Sequence, residues 1–320
     1  MTQSLEARQF YMRGRELWST RDNVKMTEGI EFFRHAIALD PNFAAPYIGI
    51  ADSLSMMRND AEDWRQAAEY ADAAIRLAPD SADAHATLGF IAALNKWNWR
   101  DAESYFKRAL ELDPNCGKAH QWYATLLLIN RRFAEAEIHL KRAIEIEPMS
   151  PTFNGDLCEL YVFAKRDDEA FSQCGKTNVI NPDFRFANVT EVFIQQKRYD
   201  EAAQERIKLA LQHGINEKTA KNAAWYKAFQ KDGYRGWIQT EIDGNEKHKD
   251  VLLGEYNLSI LYARLGDKEK TLNLLEKAFV GHTFLLPFAN ARPDFDFVRD
   301  EPRFQNLMRR IGLNQGEGNL

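Results

Sequence analysis

The sequence predicts an all-α fold, a right-handed solenoid of about seven to eight antiparallel helix pairs with a C-terminal capping segment. Three observations lead there. Helix-like runs end in LDPN at 39–42, LAPD at 77–80, LDPN at 112–115, IEPM at 146–149 and INPD at 180–183, so prolines recur at 41, 79, 114, 148 and 182. Counting back twelve, eight and five residues from these prolines gives small, larger, small, as in Ala102, Phe106, Ala109 and Ala136, Leu140, Ala143. Counting forward six, nine, ten and thirteen gives a second set, such as His85, Leu88, Gly89, Ala92 and His120, Tyr123, Ala124, Leu127, whose offsets share one helical face. Each unit therefore reads as two helices, with small residues where the axes approach and a proline stopping the second helix.

The elements follow in order. Residues 10–41 form a first pair with extra residues around STRDNVK, and 42–79, 80–114, 115–148 and 149–182 repeat the pattern. Residues 183–214 are a shortened unit ending at Gly214 without the closing proline, and 217–250 are a divergent pair broken near Gly233 and Gly236. Residues 251–281 restore the pattern through Leu258, Ser259, Tyr262, Gly266, Leu275 and Ala278. The segment 282–320 holds Pro287, Pro293 and Pro302 and an amphipathic run, PRFQNLMRRIGL. It is expected to cap the last repeat with Phe295, Phe297, Phe304, Leu307, Met308 and Ile311, because an uncapped stack exposes an apolar face. The whole of 1–320 reads as a single solenoid domain.

Composition narrows the function. With 320 residues, 45% hydrophobic and 28% charged, the chain is neither collagenous nor low-complexity. Its net charge of −5 and lack of a basic cluster argue against direct nucleic-acid binding. No apolar leader or 18-residue apolar run is present, so the chain is expected to be cytoplasmic without membrane insertion, or extracytoplasmic if it belongs to a longer membrane-anchored regulator. Cys116, Cys158 and Cys174 leave one unpaired in any scheme, and a reducing compartment is the default. Cys158 and Cys174 fall on facing helices of one unit, where a redox switch competes with the ordinary role of cysteine as a small buried hydrophobe.

A 34-residue helix pair with this pattern resembles the tetratricopeptide repeat. The strings FYMRGRELWSTR, WNWRDAESYFKRALELDPN, KAHQWYATLLL, IEPMSPTFNGDL and PDFDFVRDEPRFQNLMRRIGL resemble, over almost the whole chain, the repeat region of bacterial CadC-like winged-helix regulators and of some bacterial serine/threonine kinases and nucleotide cyclases. The resemblance implies a sensory or protein-interacting half whose output lies in an N-terminal module. No winged helix, Gly-rich nucleotide loop or kinase catalytic loop is visible, so the chain reads as an isolated portion or a standalone relative.

No catalytic or nucleotide-binding motif is found, and neither enzymatic activity nor a cofactor is expected. His85 and His120 share a repeat position, but no third ligand recurs, so packed or hydrogen-bonded histidines are expected rather than a metal site. Trp97 and Trp99 bracket a turn that they either cover or use for recognition. Offsets of four, seven, eleven, fourteen and fifteen after each proline define the face opposite the packing face. From these positions Asp52, Met56, Asp83, Phe90, Lys118, Gln121, Thr125, Glu159 and Phe163 are the expected groove contacts. Leu94 and Ile129, at the same offsets, serve equally well as packing residues. The groove lacks the Lys, Asn and Arg set with which chaperone-binding members of the repeat class clamp a terminal carboxylate. It suits a protein or peptide segment with apolar anchors and flanking polar groups. The expected function is a protein–protein interaction or signal-receiving scaffold in a bacterial regulatory system. The alternative is a small-effector-sensing domain of a transcriptional regulator.

Overall fold

The computed structural model describes residues 2–57, 61–181, 189–247 and 254–313. Among the described residues the regular structure is helical, with no strand. The first helices are α1 (Leu5–Ser19), α2 (Asn23–Leu39), α3 (Ala44–Met57), α4 (Ala61–Leu77), α5 (Ala82–Leu94) and α6 (Trp99–Leu112). They are followed by α7 (Gly117–Ile129), α8 (Phe133–Ile146), α9 (Pro151–Phe163), α10 (Asp167–Ile180), α11 (Val189–Gln195) and α12 (Tyr199–Gln212). The last are α13 (Glu217–Asn222), α14 (Ala224–Lys247), α15 (Glu255–Arg264), α16 (Lys268–Val280) and α17 (Pro302–Arg310), with 3₁₀ turns at Leu286–Asn290 and Pro293–Val298 before α17. Consecutive helices pack in pairs, α1 with α2, α3 with α4, α5 with α6, α9 with α10, α11 with α12 and α15 with α16. Contacts group the chain into two compact units, one ending at Leu126 and the other starting at Leu127. Repeats of this kind touch mainly their neighbours, so nothing forces a single global core.

The helix boundaries have local causes. Ser4, Asp22, Ser81, Asn98, Ser150 and Asp267 each accept a backbone N–H from the first turn that follows, satisfying a donor the helix cannot. Pro41, Pro79, Pro114 and Pro148 each lie two residues beyond a second helix, while Pro182 lies outside the described residues. The residue six places later returns to the carbonyl of each. Tyr47 Oη donates to Pro41 at 3.0 Å, His85 Nε2 to Pro79 at 2.9 Å, His120 Nε2 to Pro114 at 3.1 Å and Asn154 Nδ2 to Pro148 at 3.0 Å. Three kinds of side chain thus close the same turn between repeats. The equivalent histidines act here as hydrogen-bond donors.

Within a pair the first helix is linked to the second by a residue in the left-handed region: Trp97, Arg131, Lys165, Lys197 and Gly266, with φ between 49° and 72°. Only at 266 does the sequence supply the glycine that this conformation favours. Close approach then follows size complementarity. A Cβ on Gly14 or Gly49 would come within 2.5 Å of Phe33, and one on Gly89 within 2.8 Å of Phe106. Ala102, Ala109, Ala136 and Ala143 are wholly buried. In the α9–α10 pair two cysteines occupy the facing positions, and the structure joins Cys158 to Cys174 in a disulfide, their Cα atoms 5.0 Å apart. Of the two roles weighed for these cysteines, the bonded one is found, against the default of a reducing compartment: the positions that hold Gly89 and Phe106 in an earlier pair hold two side chains of equal length. Cys116 is free and buried.

The segment after α16 packs on it through Phe295, Phe304, Leu307, Met308 and Ile311, all buried, but Phe297 is 41% exposed. The exception is geometric. In a 3₁₀ turn of three residues, positions i and i+3 eclipse, so Phe295 and Val298 point inward and Phe297 does not. The break expected near Gly233 falls at that residue, whose φ of 64° and ψ of −154° interrupt α14.

Candidate functional site

In the first unit, the first helices of four successive pairs each contribute to one polar cluster. Asp52 of α3 has no exposed surface; its Oδ1 accepts Thr87 Oγ1 of α5 at 2.7 Å and its Oδ2 accepts Lys118 Nζ of α7 at 2.9 Å. Lys118 Nζ also reaches Thr87 Oγ1 at 3.1 Å and Asp83 Oδ1 at 3.3 Å, while Arg15 of α1 approaches Asp52 at 3.9 Å. A buried ammonium is tolerated only when paired in this way. Burial alone would lower the Lys118 pKa, but Asp52 and Asp83 outweigh it and hold it above the ordinary value. Lys118 in turn holds the Asp83 carboxyl below its ordinary range. Burial raises the Tyr11 phenol, which lies in the field of the same four charges. Burial also pushes the Cys116 thiol up to about 11, so it is protonated at neutral pH and a poor nucleophile.

Aromatic rings continue the surface. Phe90 of α5 lies 4.5 Å from the Trp122 ring of α7 and 6.4 Å from Trp64, and the Lys118 ammonium sits 5.0 Å from the Trp122 centroid. Two charged groups of the cluster keep open ends, Asp83 with 59% of its side chain exposed and Arg15 with 36%. Arg15 also stacks on Trp18 at 4.4 Å.

The second unit uses the corresponding helices differently, because the chain itself lies on them. Asn290 Nδ2 donates to the Ile129 carbonyl at the end of α7 at 2.9 Å, and Arg131 Nη1 donates to the Asn290 carbonyl at 3.3 Å. Lys165, after α9, pairs with Asp296, and the Arg292 guanidinium covers the Phe163 ring at 5.5 Å. Arg264 of α15 pairs with Asp294 at 2.9 Å and with Glu191 of α11. Residues 286–299 thus form a strap over α7, α9, α11 and α15, with Leu286, Ala289, Phe295 and Val298 wholly buried.

Residues 89–151 match the sequence profile of the tetratricopeptide repeat. That stretch, under half of the chain, is tetratricopeptide repeat. No curated protein sequence matches the chain. Among solved structures, the human IFIT1 dimer with PPP-AAAA is similar at a TM-score of 0.54 and 16% identity, over 81% of this chain and 69% of that one. The APC/C hetero-tetramer Cut9-Hcn1 is similar at 0.50 and 16%, over 68% and 45%. TTC0263, a thermophilic tetratricopeptide protein of Thermus thermophilus, gives 0.48 and 19%, over 62% and 99%. At these identities the likeness is one of fold.

The paired-helix arrangement decides where each expected groove residue falls. Asp52, Asp83 and Lys118 meet in the cluster, and Phe90 lies beside it. Glu159 and Phe163 belong to the second unit. Asp83 is exposed and Met56, Thr125 and Glu159 are half-buried, whereas Asp52, Phe90, Lys118, Gln121 and Phe163 are buried. Neighbouring first helices stand close enough that polar residues at their interface bond to one another, and the strap covers Phe163. Leu94 and Ile129 are buried packing residues. Trp99 is buried at the start of α6, and Trp97 is half-buried at the left-handed turn. Tyr11, Arg15, Thr87 and Trp122 lie beyond the reach of the spacing. The first two precede Pro41, so a count forward from a proline never reaches them; Thr87 and Trp122 are one place beyond the chosen offsets. Among the described residues no group of three or more His, Cys, Asp or Glu side chains could hold a metal ion, and no helix is long and apolar enough to cross a membrane.

Proposed function

We propose that the chain is a protein-interaction scaffold that receives a partner segment on the face shared by α1, α3, α5 and the start of α7. Tetratricopeptide repeats generally mediate protein–protein interaction, and the APC/C Cut9-Hcn1 hetero-tetramer is a protein assembly with a similar fold. The observation that carries the reading is the division of labour in the cluster. Lys118 and Asp52 spend their charge on each other, while Arg15 and Asp83 keep one open end each. A peptide carrying an acidic and a basic side chain meets both ends, with Met56 of α3 and Thr125 of α7 half-buried.

The resemblance to CadC-like regulators supports reading this as the sensory or interacting part of a bacterial regulatory system. The Cys158–Cys174 bond suits an oxidising compartment, as for the extracytoplasmic part of a membrane-anchored regulator. The test is partner capture by the full chain followed by reversal of the open charges. Arg15→Glu with Asp83→Lys should lose capture at least tenfold with melting unchanged. Capture that survives in the folded double variant rules out this face. Lys118 and Phe90 are unsuitable for this purpose, because substituting a buried group disturbs the fold as well as the surface.

A further inference from the structure

Beneath the strap, four ionised side chains from three separate elements meet. Asp294 spends both oxygens on guanidinium Nε atoms, Oδ1 on Arg264 at 2.9 Å and Oδ2 on Arg292 at 2.7 Å. Glu191 Oε2 receives the Arg264 Nη2 and lies 3.6 Å from the Arg292 Nη2. The formal charges balance. The donors do not: Nε and Nη2 of each arginine carry these contacts, and Nη1 carries none of them. Two tyrosines add to the surplus. Tyr234 lies in the field of Arg264, Glu191 and Asp294, and Tyr256 beside Arg292 in that of Asp294, yet among the described residues neither buried hydroxyl has an acceptor for its proton. Arg292, beside Tyr256, has no acceptor to offer the hydroxyl proton. Tyr256 is only 3% exposed, where an unmet donor costs about 1–3 kcal/mol, and buried polar groups in folded proteins are almost always met.

We infer that this cluster is a binding site for a small oxyanion, a carboxylate or phosphate group held by Arg264, Arg292, Tyr234 and Tyr256. The missing complement is acceptor oxygen, which is what such a group supplies, and paired guanidiniums suit its geometry. Entry is open on one side: Arg264 and Arg292 keep 11% and 18% of their side chains exposed, while the Tyr256 hydroxyl lies inside. Because the two arginines are already neutralised, binding is weak, and the ligand adds hydrogen bonds more than net charge attraction. The site is separate from the partner face of the first unit and does not depend on it.

The test is thermal unfolding of the full chain in sodium phosphate, sodium acetate and sodium chloride at matched ionic strength and pH 7. Phosphate or acetate at about tenfold over its Kd should raise Tm by about 2 °C or more over chloride, and the anion that does so identifies the group. Tyr256→Phe removes only an unmet hydroxyl, so it should fold, melt no lower in chloride, and lose at least half of the anion-dependent shift. Tyr234→Phe gives an independent reading of the same loss. General exclusion of phosphate from protein surface would move wild type and both variants alike. That outcome overturns the site, as does the absence of any shift beyond chloride in wild type, which leaves ordered water to meet the hydroxyls.

Discussion

Glu137 of α8 shows how much a single side chain can tie together. It accepts the Tyr161 hydroxyl of α9 at 2.9 Å and pairs with Lys141 at 2.7 Å and with Arg166. Thirty-four residues earlier Glu103 does the same with Tyr123 at 2.7 Å and Lys107 at 3.0 Å, so the second helix of one repeat is pinned to the first helix of the next by a carboxylate. Burial would raise the Glu137 pKa, but Arg166, Lys141 and Tyr161 outweigh it and hold it at about 2, below the ordinary value of 4.5. The folded value lies below the unfolded one. The stability this carboxylate contributes is therefore fully present above about pH 4.5 and lost as pH falls toward about 2. Glu137→Gln should destabilise the chain at pH 7 and differ little from wild type at about pH 2.5, as read by urea midpoints across the range. A gap independent of pH would show that packing, and not charge, is what Glu137 supplies.

At the scale of helices and turns, the left-handed residues Trp97, Arg131, Lys165 and Lys197 are positions where the sequence departs from the favoured chemistry. Lys197 adopts φ of 58° and its neighbour Arg198 pairs with Glu201. Lys197→Gly should stabilise the chain by up to about 1 kcal/mol, since glycine carries no Cβ penalty there; a lower Tm would refute the account of this turn. The α9–α10 pair has a covalent tie between residues 16 apart, and opening it by reduction should cost roughly 2–4 kcal/mol, mostly by enlarging the unfolded ensemble. Cys158→Ala with Cys174→Ala should melt at the same temperature with and without reductant, below the oxidised wild type. These elements are legible in the sequence because the proline interval and the small–large–small pattern are periodic. The pairing at 158 and 174 is not, since cysteine is at once a small apolar filler and half of a bond, and only the 5.0 Å separation distinguishes the two. Within the cluster, Asp52, Asp83 and Lys118 are visible from their offsets, but their burial is not. It depends on how closely neighbouring first helices approach, which spacing along one helix does not record.

For the molecule as a whole, the strap separates the two units in kind. The first is held by contacts between successive helices, whereas the second is also closed by residues 286–299, which return to α7, α9, α11 and α15. Removing residues 286–313 from the full chain should strip hydrogen-exchange protection from α9 through α16 while leaving α1 through α6 protected; unchanged protection in α9 through α16 would show the strap to be passive. No periodic signal announces it, since it follows the last repeat and its partners lie far back in the chain. That distance bears on synthesis as well as on stability. Asn290 and the Ile129 carbonyl it meets are 161 residues apart. At roughly 5–20 residues per second a ribosome takes about 8–30 s to travel from one to the other. During that interval the helices of the first unit are already made, while the carbonyl of Ile129 and, once made, the aromatic ring at the end of α9 wait uncovered. Nascent chains of the second half are thus the ones exposed to wrong association, and a chaperone that holds them need act only until the strap emerges.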